Sequence, residues 1–127
     1  MQCQYRFPLT AAVMLACSLS SQAADGELPD PLAAGWLGKP VCERLSENEN
    51  SRVLRCTFAP GVGHEPHYHR PNFGYVLSGG RMRVEDGEGV REVELTTGAH
   101  YRSAGTDWHH ALNIGDTTVV YLVVENW

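Results

Sequence analysis

From Val41 onward, no window of this chain holds a 3.6-residue apolar period for long, which argues against helices as its building units. Short β-rich runs recur instead, near 41–45, 52–59, 65–69, 73–77, 81–86, 90–95, 99–103, 108–113 and 118–125. Glycine and Asp/Asn clusters separate most of them: Gly79-Gly80, Asp86-Gly87-Glu88-Gly89, Thr97-Gly98, Gly105-Thr106-Asp107 and Gly115-Asp116. Strands this short and closely spaced predict an all-β sandwich or barrel. Thr117 to Val124 is the most apolar run and reads as a central strand. No internal repeat, low-complexity tract or second domain is visible.

The start of the chain follows different rules. Arg6 is the only charged side chain before Asp25, and the apolar stretch from Phe7 to Ser18 is too short to span a bilayer. Ser21-Gln22-Ala23 then places small residues where a signal peptidase reads. Residues 1–23 are therefore expected to be a secretory signal cleaved after Ala23, giving a periplasmic or secreted protein. Leu15-Ala16-Cys17 offers a second reading, a lipoprotein anchored at Cys17, but Met14 and Leu15 fit that signal poorly. No later segment is apolar enough to span a membrane. Residues 24–40, punctuated by Gly26, Pro29, Pro31, Gly35 and Pro40, read as an extended or loosely ordered arm that Trp36 and Leu37 dock on the body. Residues 41–127 form the domain.

Removing the signal takes away one positive charge and no negative one, so the formal charge moves from −5 to −6. With no Lys/Arg-rich run, this argues against nucleic acid and anionic membrane surfaces as partners. Of the four cysteines, Cys42 and Cys56 lie outside the signal. A hairpin closed around 46–51 with Leu45 opposite Val53 brings Cys42 opposite Cys56, close enough to bridge. The alternative is a pair of buried thiols. No Cys-x-x-Cys pair suggests redox catalysis or a zinc knuckle.

Two histidine groups carry the chemistry. His67 and His69 stand at i and i+2, a spacing that turns both to one face of a strand. If 108–113 is a strand, His109 and Asn113 share a face and His110 points away. His67, His69 and His109 can then converge as an open three-imidazole site suited to a divalent transition metal: Fe, Zn, Mn, Ni or Cu. His64 and His110 are expected on the outside. Glu65, two residues before His67, is a candidate catalytic base or replacement ligand, although Pro66 interrupts the strand between them. Asn72, Arg102, Trp108 and Asn113 are candidates for a substrate pocket, and Arg81 or Arg83 joins them if either faces inward. A metalloprotease reading of His64-Glu65 fails because position 68 is Tyr68. No Gly-x-Ser-x-Gly elbow supports a serine hydrolase.

These residues give the chain a family resemblance: it resembles a small single-domain cupin over roughly residues 50 to 125. Gly61, His67, His69 and Gly79 match the family's first motif, and Gly98, His109 and Asn113 match the second. The resemblance implies a cupin-like β-barrel (a double-stranded β-helix or jelly roll) with metal in its interior, and homodimers paired through edge strands. Two departures stand out. Counting from His69 puts Phe73 or Gly74 where the family has a glutamate ligand, and aligning on Tyr75-Val76-Leu77 puts Asn72 there. Ala104 and Thr106 replace residues of the family's Pro-x-Gly turn.

A metal held by three neutral imidazoles without a carboxylate keeps more positive charge and more open positions. It favours an anionic chelating small molecule and can act as a Lewis acid. The sequence thus points to an exported metal-dependent enzyme of oxygenase, isomerase or lyase type. The alternative is a non-catalytic periplasmic module that binds a small ligand or metal.

Overall fold

A computed structural model describes residues 27–127. The expected signal at 1–23, its cleavage after Ala23 and the Cys17 alternative lie outside the described residues. Among these residues the secondary structure is all strand: β1 (Gly35–Trp36), β2 (Lys39–Pro40), β3 (Cys42–Glu47), β4 (Ser51–Phe58), β5 (Gly63–His69), β6 (Asn72–Ser78), β7 (Gly80–Asp86), β8 (Gly89–Leu95), β9 (His100–Ser103), β10 (Thr106–Asn113) and β11 (Val119–Asn126). No helix of the described residues is long and apolar enough to cross a membrane.

The strands build two facing antiparallel sheets in a jelly roll, one ordered β5-β10-β7-β8 and the other β3-β4-β11-β6-β9. The expected central strand is β11, which pairs with β4 on one side and β6 on the other. Strict alternation explains why. Val119, Tyr121, Val123 and Glu125 of β11 point into the space between the sheets, as do Arg52, Leu54, Cys56 and Phe58 of β4. Met82 of β7 and Ala111 of β10 meet them from the opposite sheet. Each fully buried aliphatic or aromatic side chain in this layer contributes roughly 1.5–3 kcal/mol. Both inward rows end on a charge, Glu125 and Arg52.

Two details of register differ from the sequence reading. In the β3–β4 hairpin Ser46, not Leu45, pairs with Val53; Leu45 is the extra residue of a bulge and is half exposed. Asn48 closes this hairpin by accepting hydrogen bonds from the backbone N–H groups of Asn50 and Ser51. Beyond the bulge Cys42 lies opposite Cys56, and the two form a disulfide. The arm is not loosely ordered from residue 27 onward. Its β1–β2 hairpin turns on Leu37 and Gly38, with φ values of 50° and 80°, the left-handed pair that a two-residue hairpin turn needs. Trp36 stacks on His110 at 5.9 Å, whereas Leu37 is 81% exposed and docks nothing.

The disulfide closes a sequence separation of 14 residues. A Cys42→Ser/Cys56→Ser double variant is expected to lose about 2–4 kcal/mol of unfolding free energy. Urea unfolding of both proteins measures this, and coincident midpoints would show that the cross-link does not restrain the unfolded chain.

Candidate metal centre

The site is made where β5 and β10 run side by side, with His109 directly opposite His67. The local path is irregular. His109 pairs with His67 and Ala111 with His64, so two steps on β10 span three on β5. The extra residue falls at Glu65-Pro66, where proline supplies no N–H to the ladder. A bulge inverts the side-chain parity beyond it. His64, expected outside, is therefore buried at 1% exposure, and Glu65, expected on the ligand face, is exposed. What Glu65 contributes is its backbone carbonyl, 2.6 Å from His67 Nδ1.

His67, His69 and His109 point their Nε2 atoms at one another. His67 Nε2 lies 3.1 Å from His69 Nε2 and 2.9 Å from His109 Nε2. A ligand atom from each of the three lies within 4.8 Å of the others. The other ring nitrogens explain this arrangement. His67 Nδ1 faces the Glu65 carbonyl and His69 Nδ1 faces a carboxylate oxygen of Glu125 at 2.9 Å. Both partners accept, so each Nδ1 carries the proton and each Nε2 presents a lone pair. Lone pairs this close repel unless a cation lies between them. Metal–nitrogen bonds of about 2.1 Å at right angles would place two nitrogens about 3.0 Å apart. The donor set fits a divalent transition metal.

The interior keeps these rings neutral. Burial lowers His67 to about 2, aided by repulsion from His64 and His109. Burial also lowers His109 to about 3, with His69 and His64 adding to the effect. His64 is lowered to about 4, again first by burial, although its hydrogen bond to the Pro31 carbonyl acts the other way. That bond, at 3.0 Å, ties the arm to a ring centred 3.8 Å from that of His67 and tilted 33° to it.

Glu125 and Arg52 were not among the candidates read from the sequence. Glu125 is fully buried, and its second oxygen accepts from Arg52 Nε at 2.7 Å, while Arg52 Nη1 reaches Asp30 of the arm at 2.9 Å. Burial pushes the Glu125 carboxyl up, but hydrogen bonds from His69 and Arg52 outweigh it and hold the group below its ordinary range. Parity along β11 was the available signal, since Glu125 continues the inward row of Tyr121 and Val123.

Beside the imidazoles lies a cavity of about 380 Å³. His69 and His109 open onto it, Met82, Val84, Val93 and Leu95 form an apolar wall, and Asn72, Tyr101, Tyr121, Ser103, Thr106 and Arg91 supply polar groups. Of the four pocket candidates, Asn72 alone lines it; its side-chain amide donates to the Arg70 carbonyl at 2.8 Å. Arg102 is exposed and lies over the Phe73 ring. Trp108 is outside the lining, next in sequence to inward-facing His109 and so on the opposite face of β10. Asn113 is structural, holding the Phe58 and Thr117 carbonyls and the Gly115 amide. Arg81 is exposed and paired with Glu92, and Arg83 is exposed. The arginine facing the cavity is Arg91, held by Asp86 at 2.8 Å. It sits in the row Arg91, Val93, Leu95, where period-two spacing would have revealed it.

Among the described residues, no carboxylate lines the cavity in place of the family glutamate. Gly74 is buried, and a side chain there would strike the Tyr101 ring, whose nearest atom lies 2.2 Å from the Cβ position. The phenol of Tyr101 covers the ground that a longer residue 74 would occupy.

A jelly-roll barrel with three converging imidazoles beside an interior cavity defines a candidate metal-centred β-barrel protein. The chain belongs to the cupin family: the Cupin domain profile matches residues 54–125. Among solved structures it is similar to a cupin domain from Bordetella pertussis, 23% identical with a TM-score of 0.64, over 80% of this chain and 98% of that one. It is also similar to a conserved protein with a double-stranded β-helix domain from Klebsiella pneumoniae, at 20% identity and TM-score 0.53, over 69% and 76%. A third is a sugar phosphate isomerase of the cupin superfamily from Silicibacter pomeroyi, at 21% identity and TM-score 0.51, over 65% and 56%. At these identities the likeness shows the fold. No curated protein sequence matches the chain.

The depressed histidines set the sign of a pH effect. The unfolded chain takes up protons near 6.5, whereas folded His64, His67 and His109 resist them to far lower pH. The metal-free protein should keep its full stability above about pH 6.5 and lose on the order of several kcal/mol by pH 5. Thermal melts at pH 7.5 and 5 measure this; equal melting temperatures would contradict neutral buried imidazoles.

Proposed function

We propose that this cupin is an exported, metal-dependent enzyme acting on a small molecule with an anionic chelating head and an apolar body. The observation that carries the reading is the convergence of three Nε2 atoms beside an apolar-walled cavity. His67, His69 and His109 would hold the metal. When bound, a divalent ion there supplies Lewis acidity and open positions for a chelating oxygen pair.

The rest of the work falls to the chain itself. A volume of about 380 Å³ is near the small end of ligand pockets, roughly 300–1,000 Å³. The wall of Met82, Val84, Val93 and Leu95 excludes water and favours an apolar or aromatic body. Half-exposed Arg91 presents a cation that can leave Asp86 for a second anionic group. The Silicibacter neighbour is a sugar phosphate isomerase, but a sugar's hydroxyls would lose their hydrogen-bond partners against this wall. The lining among the described residues holds no carboxylate to act as general base. That favours oxygenation or Lewis-acid chemistry over base-led proton abstraction.

Export belongs to the same proposal: the mature chain begins at Ala24, and the Cys42–Cys56 bridge suits an oxidising compartment. So does a homodimer, for which the half-exposed Tyr75 and Leu77 of β6 offer apolar surface.

Elemental analysis of protein purified from the periplasm tests the metal reading. Wild type should carry close to one equivalent, and His67→Ala and His109→Ala should carry almost none. Equal metal in all three would end the three-His assignment. Calorimetry of the metal-loaded protein with small aromatic hydroxy acids tests the ligand class. Arg91→Ala should weaken those carrying a second carboxylate by about tenfold, the loss of one charged hydrogen bond. Tighter binding of sugar phosphates than of aromatic acids would refute the apolar-body reading.

A further inference from the structure

The family's glutamate ligand is gone, yet a carboxylate still touches the centre from outside. Glu125 reaches His69 Nδ1 at 2.9 Å from the opposite sheet, on the side of the ring away from the converging Nε2 atoms. We infer that Glu125 restores the missing negative charge one bond further out, acting through His69 as a positioning residue that Arg52 and the arm residue Asp30 hold in place. This rests on the metal reading of the preceding section.

Three observations point the same way. First, Glu125 is fully buried, a costly place for a carboxylate unless its charge is compensated. Arg52 compensates part of it through one oxygen at 2.7 Å, while the other oxygen is committed to His69. Arg–carboxylate pairs are frequently bidentate, whereas here one oxygen goes to His69 instead of the guanidinium.

Second, Arg52 is incompletely matched. Its Nη2 is buried with no hydrogen-bond partner among the described residues. Its Nε and Nη1 are divided between Glu125 and Asp30, so it works as a strut between the arm and the carboxylate. The Trp127 ring, 5.7 Å from the guanidinium, covers it, and Trp127 is itself pinned by the Glu49 carbonyl.

Third, the chemistry is directional. A carboxylate accepting from Nδ1 fixes the ring's tautomer and orientation and makes Nε2 a stronger donor to a metal. His67 has only a neutral carbonyl at the corresponding nitrogen. The centre is therefore asymmetric, with His69 more electron-rich than His67. The charge relayed through His69 partly offsets the excess positive charge of a three-His site and leaves the inner positions free for substrate. The arm is part of the device, because Asp30 supplies the far anchor of Arg52 and Pro31 the acceptor for His64, which packs against His67.

The test is Co(II) binding to metal-free full-length protein, followed by visible absorption at pH 7.5, with thermal melts of the same samples. Glu125→Gln keeps an acceptor for His69 and the side-chain volume but removes the charge. It is expected to weaken Co(II) binding by about 10- to 100-fold and to shift the ligand-field bands. Asp30→Asn, on the partly exposed arm, should weaken binding several-fold with a native melting curve. If Glu125→Gln fails to fold, Arg52→Met/Glu125→Gln, which leaves no charge unpaired between the sheets and frees only the partly exposed Asp30, takes its place and should show the same loss. Wild-type Co(II) affinity and spectrum in the folded Gln variants, with only a lowered melting temperature, would make Glu125 a structural ion pair and overturn the inference. No Co(II) binding by wild type would instead overturn the metal reading, and this inference with it.

Discussion

The buried charge at the end of β11 is the constraint around which this barrel is arranged. Glu125 is placed between the sheets by the same alternation that buries Val119, Tyr121 and Val123. A carboxylate there must be paired on every side. Its partners come from three separate parts of the chain: Arg52 from the neighbouring strand, His69 from the facing sheet and, through Arg52, Asp30 from the arm. One polar chain therefore joins both sheets and the arm to one of the three converging imidazoles.

The bulge at Glu65-Pro66 is the second determinant. Without it, His64 and His67 would point to opposite faces of β5. With it, both are buried, and their ring centres lie 3.8 Å apart. The additional buried imidazole lowers the basicity of its neighbours and gives the arm a second hold through the Pro31 carbonyl. The bulge also turns Glu65 outward, so the site has no inner carboxylate from β5, just as it has none from β6.

A cavity walled by Met82, Val84, Val93 and Leu95 then gives the centre an apolar wall on one side. In such surroundings charges act strongly because little water screens them. Arg91 and Asp86, set against the apolar wall, are the pair most able to exchange one partner for a ligand.

Much of this was legible in the residues themselves. Period-two apolar runs and glycine-rich breaks marked the strands from β3 to β11, because alternation is a local property of extended chain. The spacings of His67, His69 and His109 marked the three-imidazole cluster and the family for the same reason. The sequence by itself also showed the loss of the glutamate and the opposition of Cys42 to Cys56. What only the tertiary structure decided were relations across elements. Sequence spacing cannot say which residue a bulge absorbs, so the burial of His64, the exposure of Glu65 and the pairing of Ser46 with Val53 all waited on the fold. Nor can it say which inward side chains of facing sheets meet. Arg91 and Glu125 were on inward rows all along, but their contacts with a cavity and with His69 exist only because two sheets, distant in sequence, pack at one particular offset.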